Sequence, residues 1–164
     1  MRESDPDIVI RRATKTDLPA LGRLGASLLR MHHAYDPQRF MAPRGDPEEG
    51  YAWFLGTQLK EDDVAVFVAE RGGLVVGYVY AGLEPQSWKE LREEAGFIHD
   101  VVVAKEVRRL GIASALLEAA FEWLRSIGAP RVVLWTADKN EGAQRLFTRL
   151  GFRRTMLEMT RELN

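Results

Sequence analysis

The chain is predicted to fold in the α/β (mixed α+β) class, as a central mixed, mostly antiparallel sheet flanked by helices. Three observations point there. "VAVFVAERGGLVVGYVYAGLE" is a pair of β-rich runs joined by the turn signal "ERGG", which reads as an antiparallel hairpin. In the second half, apolar residues recur at helical spacing in two segments that follow β-rich runs. No internal repeat or low-complexity linker divides the 164 residues, so the hairpin and the alternating half must share one sheet, and residues 1–164 are expected to form one domain.

In chain order, Ile8 to Ala13 ("IVIRRA") reads as a short strand. A helix follows, with Thr16 or Asp17 as N-cap and Leu18, Leu21, Leu24 and Leu28 on its apolar side. "DPQRFMAPRGDPEEG" reads as a loop with a turn of helix at each end, and its length marks it as a binding loop. "YAWFLGTQLK" resumes a helical pattern and the hairpin follows. "PQSWKELREEAG" reads as a polar, partly helical connector before the strand "FIHDVVV". Ala113, Leu116, Leu117, Ala120, Phe121 and Leu124 then line one helix face, stopped by Gly128 and Pro130. "RVVLWT" is a strand core, Ala143, Leu146, Phe147 and Leu150 share the next helix face with Gly151 as its cap, and "FRRTMLEMTREL" closes as a strand or a frayed end.

Composition narrows function. Apolar residues are 46%, charged residues 29% and the net charge is −1, which suggests neither disorder nor a basic nucleic-acid surface. Without cysteine there is no disulfide, no thiolate nucleophile and no cysteine metal site. "MRESDPDIVI" lacks an apolar signal-peptide core and no apolar run approaches the ~20 residues of a membrane span, so a cytoplasmic protein with no membrane partner is expected.

Between "HDVVV" and the third helix lies "RRLGIA". A strand-to-helix loop presents the free N–H groups of the helix's first turn, which suit an anion. Gly111 leaves no Cβ in the way, Ala113 keeps the wall thin, and Arg108 and Arg109 add positive charge, although a plain turn also tolerates a glycine. The P-loop pattern is absent, and so is the dinucleotide fingerprint.

Here the sequence resembles the GNAT family of N-acetyltransferases. Arg108, Gly111 and Ala113 match its [QR]-x-x-G-x-[GA] signature, and Asn140, Ala143, Leu146, Phe147, Gly151 and Phe152 match its downstream N-x-x-A-x-x-[LF]-[YF]-x-x-x-GF pattern. The resemblance covers nearly the whole chain and is closest from His99 to Phe152. It implies a sheet splayed near its middle, with acetyl-CoA as co-substrate in the opening. Main-chain groups of Val101 and Val103 would meet pantetheine and acetyl, the loop of Arg108, Arg109, Gly111, Ile112 and Ala113 would hold pyrophosphate, and Asn140, Ala143 and Phe147 would flank the pantetheine arm.

The implied activity moves an acetyl group to a primary amine of a small molecule or peptide by direct attack on the thioester. The alternative is an acyl-CoA-binding regulatory module with little turnover. Relatives often carry Glu-Asp nine and eight residues ahead of the arginine; here these are His99 and Asp100. Histidine as a residue type titrates near ~6.5 and suits a general base, though it serves equally as a structural hydrogen-bonder. By strand alternation the two face opposite sides unless the strand is bulged. Where many relatives place a proton-donating tyrosine, Phe147 has no proton to give, leaving water, the substrate ammonium, Tyr35 or Tyr80 to protonate the thiolate. His32, His33, Tyr35, Asp36, Glu48 and Glu49 fall where the acceptor wall is built, and adjacent histidines without a third ligand argue for no metal. A homodimer is compatible with the chain.

Overall fold

The computed structural model describes Asp5 and residues 7–164. Residues 1–4 and 6, part of the opening stretch read as lacking a signal-peptide core, lie outside the described residues. Five strands, β1 (Ile8–Arg12), β2 (Val64–Arg71), β3 (Leu74–Glu84), β4 (Ala95–Val103) and β5 (Val132–Leu134), form one sheet in the order β1-β2-β3-β4-β5. The first three pairings are antiparallel and β4–β5 is parallel. The expected mixed, mostly antiparallel sheet is therefore present. "ERGG" turns the β2–β3 hairpin through Gly72 and Gly73 at φ 57° and 79°, the left-handed pair a tight hairpin of this twist needs. A parallel pair cannot be joined by a tight turn, so the helix α3 (Ile112–Ser126) makes the β4-to-β5 crossover.

Strand alternation sorts the core into two layers. Val66, Val68, Tyr78, Tyr80 and Val102 pack beneath α1 (Leu18–Tyr35) and α2 (Pro47–Gln58) with Leu21, Leu24 and Leu55. On the other face Ala69, Val79, Ala81 and Ile98 meet Leu116, Leu117, Ala120, Phe121 and Leu124 of α3 and Phe147 of α4 (Glu141–Arg149).

Several boundaries differ from the pattern reading. α2 begins at Pro47 because Asp46 accepts the Glu49 N–H at 2.9 Å, an N-cap with proline in the first turn, so the turn of helix expected at the end of the loop runs on without a break into the helix that follows. The 85–94 connector is not helical: it closes on a Ser87–Arg92 bridge, with Leu91 at φ 51°. α1 is entered through a short 3₁₀ turn, Lys15–Asp17, boxed by Thr14 and Asp17. Of the two forms expected for the closing segment the frayed end holds, because residues 153–164 join no strand.

Asp17 is the buried charged residue among the described residues, 6% exposed. Arg11 donates to both its oxygens at 2.8 and 2.9 Å and the Thr14 N–H adds a third bond at 2.7 Å. The Arg11 hydrogen bonds foremost hold this carboxyl below the ordinary carboxylate range, against the opposing effect of burial. Arg11 is about one third exposed and keeps Glu70, so Asp17→Ala is expected to cost about 2 kcal/mol, less than a fully buried pair. Because the folded pKa is depressed, the stabilisation is present above the unfolded value near ~3.9 and fades as pH falls through the folded value. Urea unfolding at pH 7 and pH 3 checks this, and the gap between wild type and variant should narrow at pH 3.

Candidate active site

The β4–β5 ladder runs only from Gly96–Val132 to Ile98–Leu134. Beyond Leu134 the chain leaves the sheet while β4 continues to Val103, so the sheet parts between these strands. The Ala104 N–H donates to Val76 O on the β3 side, so by alternation Val103 and Val101 turn their main-chain groups to the parted side. The Val103 carbonyl there accepts Arg108 Nε at 3.3 Å.

The β3–β4 register shifts at one place: Tyr80 pairs with Asp100 but Ala81 with Ile98, leaving His99 as the extra residue of a bulge. The bulge overrides strict alternation. Both side chains reach the α1–α2 face, His99 beside the Tyr80 ring at 4.7 Å between centroids and Asp100 against Tyr51 and Tyr78. The condition under which the two could share one cleft is met.

That cleft, about 360 Å³, is walled by His99, Asp100 and Val101 from β4, by Trp135 and Thr136 beyond β5, by Asn140, Ala143 and Phe147 from α4, and by Leu28, His32 and Tyr51 from the helical layer. Asn140 also caps α4, its Oδ1 accepting the Ala143 N–H at 3.2 Å. Phe147 is 7% exposed and packs edge-on against Phe152 at 5.8 Å, so it is both wall and core.

Asp100 Oδ2 accepts the Tyr51 hydroxyl at 2.8 Å and the Tyr78 hydroxyl at 2.9 Å. Burial raises its pKa above the usual carboxylate range, and the two phenols oppose that rise by stabilising the charge. Burial first, then the Asp100 charge, raises both phenols in turn, so neither is a ready acid. Tyr80 donates to Gln58 Oε1 at 2.8 Å and burial pushes it up to about 12. Tyr80 is thus a poor acid and lies outside the cleft lining. His99 Nε2 lies 2.9 Å from Glu84 Oε1, at the join between this cleft and a smaller hollow of about 240 Å³ that includes Glu84, Arg92, Phe97 and Trp135. A carboxylate partner places the proton on Nε2 and leaves the Nδ1 lone pair.

The loop of Arg108, Arg109, Gly111, Ile112 and Ala113 lies outside the cleft lining, at the α3 N-terminus. Arg109 and Gly111 stand at φ 70° and 78°, and a Cβ on Gly111 would meet nothing within 4 Å, so glycine is favoured there by backbone conformation and not by crowding. One expectation is narrowed. The Ile112 side chain is 2% exposed in the core, which leaves only its main chain for a ligand. Of the residues expected at the acceptor wall, His32 lines the cleft, whereas Glu48 is paired with Arg30 at 2.6 Å and His33 Nδ1 with Phe40 O at 3.2 Å. Tyr51, Tyr78 and Glu84 were not singled out from sequence, and only Glu84, a charge ending an apolar run, left any local signal.

A mixed sheet parted between two parallel strands, with a glycine-led helix N-terminus following the inner one, defines the acetyltransferase class of fold. The chain belongs to the Acetyltransferase (GNAT) family, whose model matches residues 28–152. It is 36% identical over 100 residues to an uncharacterized N-acetyltransferase of Methanocaldococcus jannaschii, covering 61% of this chain and 44% of that protein. It is 34% identical over 113 residues to an N-alpha-acetyltransferase of Sulfurisphaera tokodaii, covering 65% of this chain and 67% of that one. The chain thus matches less than half the length of the first relative. In fold it is similar to an aminoglycoside N-acetyltransferase solved with CoA (TM-score 0.73, 22% identity, 99% of this chain and 98% of that one). It is equally similar to a transcriptional regulator of Bacillus halodurans (TM-score 0.74, 23% identity, 95% and 99%). Among the described residues no helix is long and apolar enough to cross a membrane.

Proposed function

We propose that the chain is an acetyl-CoA-dependent N-acetyltransferase, with residues 1–164 as one catalytic domain, acting on a primary amine of a small molecule or peptide. The observation that carries the reading is the bulge at His99, which sets an imidazole and a carboxylate side by side where the sheet parts. Acetyl-CoA supplies the activated acyl carbon. The residues present suit it: outward main-chain groups at Val101 and Val103 for an extended arm, a left-handed loop at a helix N-terminus for pyrophosphate, and an apolar wall at Ala143 and Phe147.

His99 is the general base. Glu84 positions it through Nε2, and Nδ1 takes the proton from the attacking amine, directly or through one water. The amine nitrogen bonds the acyl carbon, the C–S bond breaks, and the thiolate takes its proton from water or from the substrate's own ammonium. Asp100, charge-stabilised by two phenols, contributes negative potential that attracts a cationic amine.

Release of free CoA in a panel of amines tests the reading, and a protein without cysteine adds no thiol background. Amine-dependent release supports it. Phe147 favours a second reading, a regulatory module that binds acyl-CoA: tight acetyl-CoA binding with no turnover on any acceptor would support that one. Phe147→Tyr is expected to leave kcat within a few-fold and the alkaline limb of its pH profile unmoved, because positioning and the base limit the rate. A sharp rise in kcat with a shifted alkaline limb would show that an acid had been missing.

A further inference from the structure

None of the expected cofactor contacts lines the smaller hollow of about 240 Å³. It shares Ile98, His99 and Trp135 with the larger cleft, so the two spaces are continuous past the imidazole. The rest of its wall is Phe97 of β4, Glu84 at the end of β3, and Glu90 and Arg92 from the 85–94 connection.

The surfaces of this hollow are flat. The Phe97 ring is stacked with that of His99, 5.6 Å between centroids and 17° between planes. Arg92 sets its guanidinium carbon 4.8 Å from the Phe97 centroid, and Trp135 meets Phe97 edge-on at 6.1 Å. The Trp135 indole is itself 75% exposed, so a broad ring face stands in water where the hollow joins the cleft. The charges in the wall already have partners. Glu90 Oε2 accepts Arg92 Nη2 and Nε at 2.7 and 3.1 Å, and Glu84 Oε1 meets His99 Nε2 at 2.9 Å. A further charged group entering there would compete with those pairs, whereas a flat apolar group would displace water from ring faces and leave the pairs intact.

We propose that this hollow is the side pocket of the acceptor, and that it selects a primary amine carrying an aromatic ring on a short spacer, with Trp135 as the specificity-determining residue. The inference rests on the reading of His99 as the base: with the amine at the imidazole, its substituent passes along the His99–Phe97 stack and the ring lies against the indole. A small arylalkylamine and a peptide whose first residue is aromatic present the same chemistry, since both hold the ring at the same distance from the nitrogen.

Two matched pairs test it and separate those sources: 2-phenylethylamine against n-hexylamine, and Phe-Gly-Gly against Leu-Gly-Gly. CoA release is expected to favour the aromatic member of at least one pair by ~3–10-fold in kcat/KM, mostly through KM, because the ring contributes binding away from the reacting nitrogen. Trp135→Ala should abolish that preference and Trp135→Phe should keep most of it. Neither change endangers the fold, because the side chain is largely in water. Calorimetric titration with the same four compounds reads the pocket without turnover, and the same order of affinity and the same response to the two variants are expected. Turnover with no aromatic preference in either pair, or a preference that survives Trp135→Ala, overturns the inference and leaves the catalytic reading standing. The aromatic preference in binding, lost in Trp135→Ala, with no turnover of any amine keeps the pocket and overturns the catalytic reading.

Discussion

Replacing His99 by alanine is expected to lower kcat by ~10²–10⁴-fold, the span that removal of a positioned general base covers. The KM for acetyl-CoA should change far less, because the imidazole sits at the bulge and the expected cofactor contacts lie at Val101, Val103 and the loop before α3. The acid limb of kcat/KM should disappear with the base, and free imidazole should restore part of the rate. Glu84→Gln is expected to give a smaller loss, since Glu84 acts through His99 at 2.9 Å and does not itself meet the amine. Asp100→Asn makes the contrasting case. It removes the charge while leaving an oxygen for the Tyr51 and Tyr78 hydroxyls, so it should raise the KM of a cationic amine more than it lowers kcat. Steady-state kinetics of the three variants across pH decide the assignment: an unaffected rate in His99→Ala with a collapsed rate in Asp100→Asn would move the base to the carboxylate.

Gly25→Ala should destabilise the protein by about 1–3 kcal/mol, against the usual direction for a helical glycine. Within α1, alanine in place of glycine ordinarily gains ~0.5–1 kcal/mol of backbone entropy. Here a Cβ would fall 2.1 Å from Tyr51 Cδ1 and 2.5 Å from Cε1 and Cγ, closer than any real contact. The ring cannot swing away cheaply, because its hydroxyl is tied to Asp100. Gly22, one helical turn earlier, is crowded in the same way by Glu48 O at 2.4 Å, so the two glycines form the strip along which α2 is laid against α1. Overpacking therefore outweighs propensity. Gly50→Ala is the control: it is exposed in α2 with nothing within 4 Å of a Cβ, and should stabilise by ~0.5–1 kcal/mol. Denaturant unfolding of both measures the difference, and a Gly25→Ala protein as stable as wild type would mean that Tyr51 is free to move. Because Tyr51 holds Asp100, the same substitution should also disturb acceptor binding in the molecules that remain folded.

Much of the fold and half of the site were legible in the chain because their determinants are local. The Gly72–Gly73 turn and the apolar stripe of α3 are signalled within a few residues, as is the left-handed Gly151 that ends α4. The start of α2 was equally local: the turn of helix expected at the end of the loop is its first turn, capped by Asp46. The closing segment kept two readings open because strand character without a partner edge does not decide pairing.

The sequence by itself determined the alternation of strands and helices, the glycine-led helix start after "RRLGIA", and the presence of His99 and Asp100 on the strand before it. These follow from periodicity, backbone preference and neighbours a few residues apart. Only the tertiary structure decided where those two side chains lie and what they contact. "FIHDVVV" reads as an unbroken strand, and nothing in it announces that β3 will skip a residue at His99. Nor does it announce the partners that hold the pair, since Glu84, Tyr78 and Tyr51 lie 15, 22 and 49 residues away along the chain. A one-residue register shift turns a side chain across a sheet, and register is set by pairing with another strand. The chemistry of the site therefore rests on a contact that exists only once the sheet has formed.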